Sequence, residues 1–340
     1  MTAPAALGEG VRRVNRAPLV LIGMFLVTLL VALPLALALR GMIEAHLGAS
    51  LAAEAAASGV NMAWWQEFAA QASGLGRTFA PSLIGFGAVL DNLSGLLDNA
   101  PLAATIGGAT LAWLVLWSFL SGGVLDRYAR DRPTRTTGFF AACGTHFWRF
   151  LRLGAAGWVV YLLLFGLLHG AIFDTVARAS SDLTVERRAF ALQAAGYLVF
   201  GALMLFWVAV FDFARVRIVV EDRRSALGAL LASLRFVRRH RGRVAALYLL
   251  NGALFVLLLA VYAATAPGAP RSGAHMVVVV VVGEVYILAR HYLKLLFYAS
   301  EVALFQGTLA HAEYTAPPVV LWPESPAVES VTNPKPVLRG

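Results

Sequence analysis

The chain predicts an all-α integral membrane protein, a six-transmembrane-helix bundle with amphipathic interfacial helices. Three observations carry that expectation. Six apolar stretches, at 18–39, 101–122, 153–172, 189–211, 244–264 and 275–297, are each long enough to cross a bilayer, which takes about 20 apolar residues in a helix. Hydrophobic residues make up 59% of the 340 and charged residues 14%, well under the roughly 25% charged of soluble domains. The third observation is the placement of charge. With the N-terminus inside, the inner segments hold 22 of the 28 lysines and arginines and the outer segments hold 6. That bias follows the positive-inside rule and sets both termini in the cytoplasm, across a bacterial inner membrane.

Residues 1–17 read as a short polar cytoplasmic N-terminus. Pro18 suits the first turn of span 18–39, and Pro34 near its far end is expected to kink it. Arg12, Arg13 and Arg16, with Ala36, Leu37 and Ala38 downstream, also fit a cleaved signal peptide. The apolar run exceeds the about 7–15 residues of such a segment, so an uncleaved anchor is expected. Segment 40–100 should lie on the extracytoplasmic side as three short helices, 42–57, 62–73 and 81–97. Asn61 caps the second, Gly74 and Gly76 end it, and Pro81 opens the third. Leu83, Phe86, Leu90, Leu93 and Leu97 follow helical spacing. Trp64 and Trp65 fit an interfacial belt. A sequon at Asn92, Leu93 and Ser94 is too short a pattern to carry weight.

Beyond it the expected order is span 101–122, cytoplasmic amphipathic segment 123–152, span 153–172 and outer loop 173–188. Span 189–211, a second cytoplasmic amphipathic segment 212–243, span 244–264 and outer loop 265–274 follow. A last helix, 275–312, continues past the membrane, and 313–340, with six prolines, reads as a disordered cytoplasmic tail. Gly107, Gly108 and the glycines of 154–170 suit close helix packing.

The two inner segments resemble each other. A shift of 86 residues places Val124 on Val210, Asp126 on Asp212, Arg149 on Arg235, Phe150 on Phe236 and Arg152 on Arg238. Either the chain carries a parallel repeat, or apolar spans flanked by arginine match by chance. In the second segment Ser225 caps a helix with Leu227, Leu230, Leu231, Leu234 and Val237 on one face and Arg235, Arg238, Arg239 and His240 toward its end. Such a helix lies in the interface plane, arginines toward phosphate. In the first, Phe139, Phe140, Cys143, Phe147 and Leu151 take the apolar part, with Arg149 and Arg152 as headgroup contacts.

Few residues suggest chemistry. Glu284 follows an unbroken valine run, and an ionisable group at that depth costs about 2.5–3.5 kcal/mol on insertion scales. At 100° per residue, Glu284, His291, Lys294, Tyr298 and Glu301 share one stripe. The stripe fits either a proton- or ion-linked path or a buried structural carboxylate bonded to a neighbouring helix. Asn251 reads as interhelical packing, with substrate binding as its alternative. Asp126 and Asp212 form a matched pair at the inner ends of spans, each with arginines close behind, and a salt bridge that pins the turn is the plainer account. His146, His169, His240, His291 and His311 show no paired ligand spacing, and the lone Cys143 excludes an intrachain disulfide. No phosphate-binding loop, nucleophile elbow or dinucleotide fingerprint is present. No cofactor, metal or catalytic residue is assigned.

Phe211, Asp212, Phe213, Ala214 and Arg215, followed by 218–222, Ala226, Leu227, Ser233 and Arg235, resemble a pattern of uncharacterised bacterial multi-pass families, including those similar to the membrane domain of glycerophosphodiester phosphodiesterases. The resemblance covers about 30 residues. It implies a six-helix inner-membrane domain, and the soluble phosphodiesterase domain is lacking. The expected function is non-catalytic, organising lipid or a membrane partner complex. The alternative is a small-solute or ion transporter or channel that uses the Glu284 stripe, with an intramembrane enzyme third. Expected partners are membrane lipid, a membrane protein or a second copy, with no nucleic acid. The basic charge of +9 is explained by arginines beside the spans, where anionic headgroups attract them.

Overall fold

The computed structural model describes residues 1–48, 50–58, 61–79, 86–100, 104–181, 183–267 and 273–312. Among these the chain is all α-helical with no strand, and six helices are long and apolar enough to cross a membrane. The molecule is a six-helix multi-pass membrane protein. The expected tail 313–340, Pro81 and Leu83 lie outside the described residues.

Residues 1–17, expected as a polar terminus, instead form α1 (Ala3–Asn15). Ala3, Ala6, Gly10, Arg13 and Val14 recur every three or four residues and are buried. Arg13 Nη1 donates to Tyr128 O at 2.9 Å and to Gln306 Oε1 at 2.8 Å, and Gln306 Nε2 donates to Ala129 O at 2.9 Å. A buried guanidinium needs such partners, and they tie α1 to two spans at once.

The first span, α2 (Pro18–Leu47), runs past residue 39 with Pro34 inside it and absorbs the start of the expected helix 42–57. The remainder is α3 (Ala53–Ser58). In α4 (Met62–Gln71), Asn61 Oδ1 accepts the cap bond from Trp64 N at 3.1 Å. α5 (Phe86–Leu97) follows. Trp64 departs from the expected interfacial belt. It is only 7% exposed, stacks on Phe68 and donates Nε1–H to His46 Nδ1 at 3.0 Å, within a small core with Ala72, Ile43 and Phe79.

The second span is α6 (Ala104–Arg130), and α7 (Thr136–Leu163) continues through a π-helical turn (Leu164–His169) into α8 (Gly170–Ser180). This corrects the expected in-plane helix within 123–152. Isolated glycines do not stop a helix, so the segment is divided between the ends of two long rods. The fourth span, α9 (Glu186–Val220), likewise continues to Val220, so Asp212 lies two turns inside the helix rather than at its end. The residues at the two turns are Asp131 and Asp222, both with left-handed backbone, φ 45° and 47°, a conformation that aspartate tolerates better than most.

α10 (Ala226–Arg239) starts where expected, with Ser225 Oγ accepting from Gly228 N at 3.1 Å. Ala226, Ala229, Ser233, Phe236 and Val237 pack inward, Leu230 and Leu234 are partly buried, and Leu227 and Leu231 of the expected apolar face are 64% and 57% exposed. Small residues let it lie close against α9 and α7. α11 (Arg241–Thr265) and α12 (Ala274–Ala312) complete the spans. Of the expected packing glycines, Gly157 is buried against the Phe211 ring of α9 while Gly107, Gly108, Gly154, Gly166 and Gly170 face open space; tighter helix approaches fall at Gly10, where an added Cβ would lie 2.9 Å from Ser300 N, and at Gly123, where it would lie 2.6 Å from Cys143 Sγ.

Candidate functional site

Where α6, α9, α11 and α12 meet toward their arginine-rich ends, polar side chains gather inside the bundle. Asp212 and Arg215, three residues apart on α9, form an ion pair at 3.0 Å. Tyr248 of α11 places its hydroxyl 3.1 Å from Asp212 Oδ2 and 2.7 Å from Glu301 Oε1 of α12. Glu301 is fully buried, and its Oε2 has no hydrogen-bond partner. A tyrosine hydroxyl owns one hydrogen. It satisfies one carboxylate at a time, so both contacts hold together only when a carboxyl supplies a second proton. The three groups form a hydrogen-bonded bridge across three spans.

A second layer lies beside it. Lys294 Nζ sits 3.5 Å over the ring of Trp117, a cation–π contact. Trp117 donates Nε1–H to Tyr298 OH at 3.0 Å and the rings stack. Asn251 Nδ2 donates to Leu247 O at 3.0 Å and to Ser300 Oγ at 3.3 Å, so it does join α11 to α12.

These layers back a cavity of about 650 Å³. Its polar wall is Thr28, Tyr248, Asn251, Arg290, His291 and Lys294. Trp113, Leu205, Val208, Phe255, Ile287, Leu293 and Phe297 make it otherwise apolar. Asp212 and Glu301 are not part of the wall, so the cavity presents cations while the acids stay behind Tyr248. Among the described residues, no group of three or more histidine, cysteine, aspartate or glutamate side chains is placed to hold a metal ion.

The structure divides the expected stripe. His291 and Lys294 line the cavity, Tyr298 and Glu301 lie deeper in the bundle, and Glu284 stands apart. Ten residues separate Glu284 from Lys294, roughly 15 Å along the helix. Glu284 is half-buried, with Oε2 shielded and unpartnered. Asp126 pairs with Arg130 at 2.8 Å, away from the bridge, so the matched acids have different settings. Of the expected headgroup arginines, Arg149 is 14% exposed and bound to Asp222, hence committed within the protein. Arg152, Arg235, Arg238 and Arg239 are exposed.

Sequence reading did not mark Arg215, Tyr248, Arg290 or Trp117 as site residues, and Arg215 entered it only within the 211–215 run. Arg215 and Tyr248 were within reach of it: each lies three residues from a flagged polar residue, Asp212 or Asn251, and so shares its helix face. Trp117 carries no such signal. Compared with protein-family models, curated proteins and solved structures, the chain matches none.

Proposed function

We propose that this protein is a non-catalytic membrane component that holds an anionic lipid, with the lipid's charged group in the cavity against Arg290, His291 and Lys294. One observation carries the reading: a mostly apolar cavity between spans has a wall with cations on its surface and carboxylates withdrawn behind it. Apolar clefts with a few placed polar groups are the usual form of small-molecule sites, and a desolvated cation inside a bundle marks the path or seat of an anionic group. Apolar walls fit an acyl chain better than a hydrated solute. The exposed Arg152, Arg235, Arg238 and Arg239 add headgroup contacts at the same end, where α10 carries outward leucines followed by arginines. The arginine bias supports an orientation with that end, and both termini, in the cytoplasm of a bacterial inner membrane.

The test is native mass spectrometry of the full chain released from detergent after exposure to phosphatidylglycerol. The wild type is expected to retain the lipid in the cavity, and the double variant Arg290→Gln, Lys294→Gln to lose one bound molecule. Unchanged retention in a folded double variant overturns the reading. Glutamine at Glu284 is the companion measurement. Solute flux in proteoliposomes that disappears in Glu284→Gln would establish the transporter reading in its place.

A further inference from the structure

We infer that the chain carries a second, separate lipid site, a seat for the phosphate of an anionic phospholipid where α2 begins beside the α6–α7 turn. A groove of about 390 Å³ runs there, and Arg16, Arg127, Thr134, Gly23, Met24 and Phe139 line it. Arg127 decides its chemistry. The residue is 6% exposed, its Nη2 donates to Arg16 O at 2.9 Å, and its Nη1 is buried with no partner. A guanidinium nitrogen left so costs free energy that an anionic oxygen recovers.

The surroundings favour the same ligand. Neither nearby acid bonds Arg127: Asp126 pairs with Arg130, and Asp131 Oδ2 with Arg12 at 2.9 Å and Arg16 at 3.3 Å, while Asp131 Oδ1 is buried without a partner. α7 starts at the groove, and no side chain caps its first N–H groups, which with the helix dipole attract a phosphate. Arginine matches phosphate oxygens in fork geometry. The groove then continues along α2 past Gly23 and Met24 as far as Val27, roughly 16 Å from Arg16, and its walls turn apolar. A charged mouth with an apolar run behind it fits a diacyl lipid and leaves a soluble phosphate half of the site unused.

The experiment counts phosphatidylglycerol on the full-length protein by native mass spectrometry, with soluble glycerol 3-phosphate as competitor. Arg127→Gln is expected to carry one lipid fewer than the wild type, with affinity for that lipid weakened at least tenfold. Because Arg127 also holds Arg16 O, a second variant guards against misfolding. A Cβ at Gly23 meets nothing within 4 Å, so Gly23→Leu fills the groove without touching the backbone around it. This variant should also lose one lipid while keeping the wild-type melting temperature. Equal lipid counts in the wild type and Gly23→Leu overturn the site. So does displacement of the lipid by glycerol 3-phosphate at equal concentration, which would assign Arg127 to free phosphate. The Arg290→Gln, Lys294→Gln variant separates the two sites: a lipid lost there but kept in Gly23→Leu belongs to the central cavity alone.

Discussion

Two hairpins, α6–α7 and α9–α10, each carry a buried aspartate, an aspartate at the turn and a closely packed second helix, in that order. Asp126 and Asp212 each pair with an arginine on the next helical turn. Asp126 goes no further, and its partner Arg130 is 53% exposed. Asp212 reaches Tyr248 and, through it, Glu301, so its hairpin is bonded to two more spans. One local pattern thus serves a local clasp in one place and a junction in the other, and what surrounds the helix decides which. Removing the acids should expose the contrast. Asp212→Ala leaves Arg215 and the bridge without their shared carboxylate, and loss of one partner of a buried pair costs about 3–5 kcal/mol. Asp126→Ala breaks a pair whose cation is half in solvent, worth about 0.2–1 kcal/mol. Thermal unfolding in one detergent compares them directly, and equal drops would dissolve the distinction.

The next largest effect lies at the helix contact inside the first hairpin. Gly123 lets α6 approach α7 so closely that a Cβ would meet Cys143 Sγ at 2.6 Å and the Phe139 ring at 2.8 Å. The positions 86 residues on are Ala209 and Ala229, both buried. Gly123→Ala should destabilise by about 1–3 kcal/mol through overpacking. Adding Cys143→Ala, which removes the sulfur that the new methyl would meet, should restore part of that loss, and a double-mutant cycle measures the coupling. A cycle that closes at zero would mean the two helices adjust independently.

The hairpins also show what the sequence made legible. Span number and helical class follow from run length and composition, which depend little on neighbours. Ser225 was readable because a cap acts within three residues. Which face of α10 packs on the protein was not legible for a physical reason: in a membrane protein leucines face lipid as readily as protein, so the leucine stripe marks no protein-facing side, and the small Ala226, Ala229 and Ser233 lie there. α1 escaped because its buried face is alanine and glycine with an arginine at its end. Of the site, the α12 residues His291, Lys294, Tyr298 and Glu301 were flagged together from their shared stripe. Helix geometry alone had no means of telling that Glu284 leaves the cluster and Asp212 enters it, since that depends on which spans touch.

Ser225 supplies a smaller test of the same pair. α10 has a side-chain cap, and α7 begins at Arg135 without one. Ser225→Ala should cost about 1 kcal/mol, seen as faster hydrogen exchange in the first turn of α10 and no change at the start of α7. Protection lost equally at both starts would mean the two hairpins unfold as one unit.

The smallest expected effect concerns the contact that joins the hairpins. Arg149 of α7 donates to Asp222 at the α9–α10 turn, and that hydrogen bond holds the Asp222 carboxyl below its ordinary value of 3.8. Because the folded-state value is the lower one, the link contributes fully above the ordinary carboxylate value and is lost as pH falls through the depressed one. Asp222 is largely exposed, so the contribution is small and screened by salt. Asp222→Asn should lower the melting temperature slightly at pH 6, and the difference should shrink as pH falls through the depressed value. A gap that persists unchanged to the acid limit would assign the effect to the left-handed turn at Asp222, which asparagine also tolerates, and would remove Arg149 as the tie between the two hairpins.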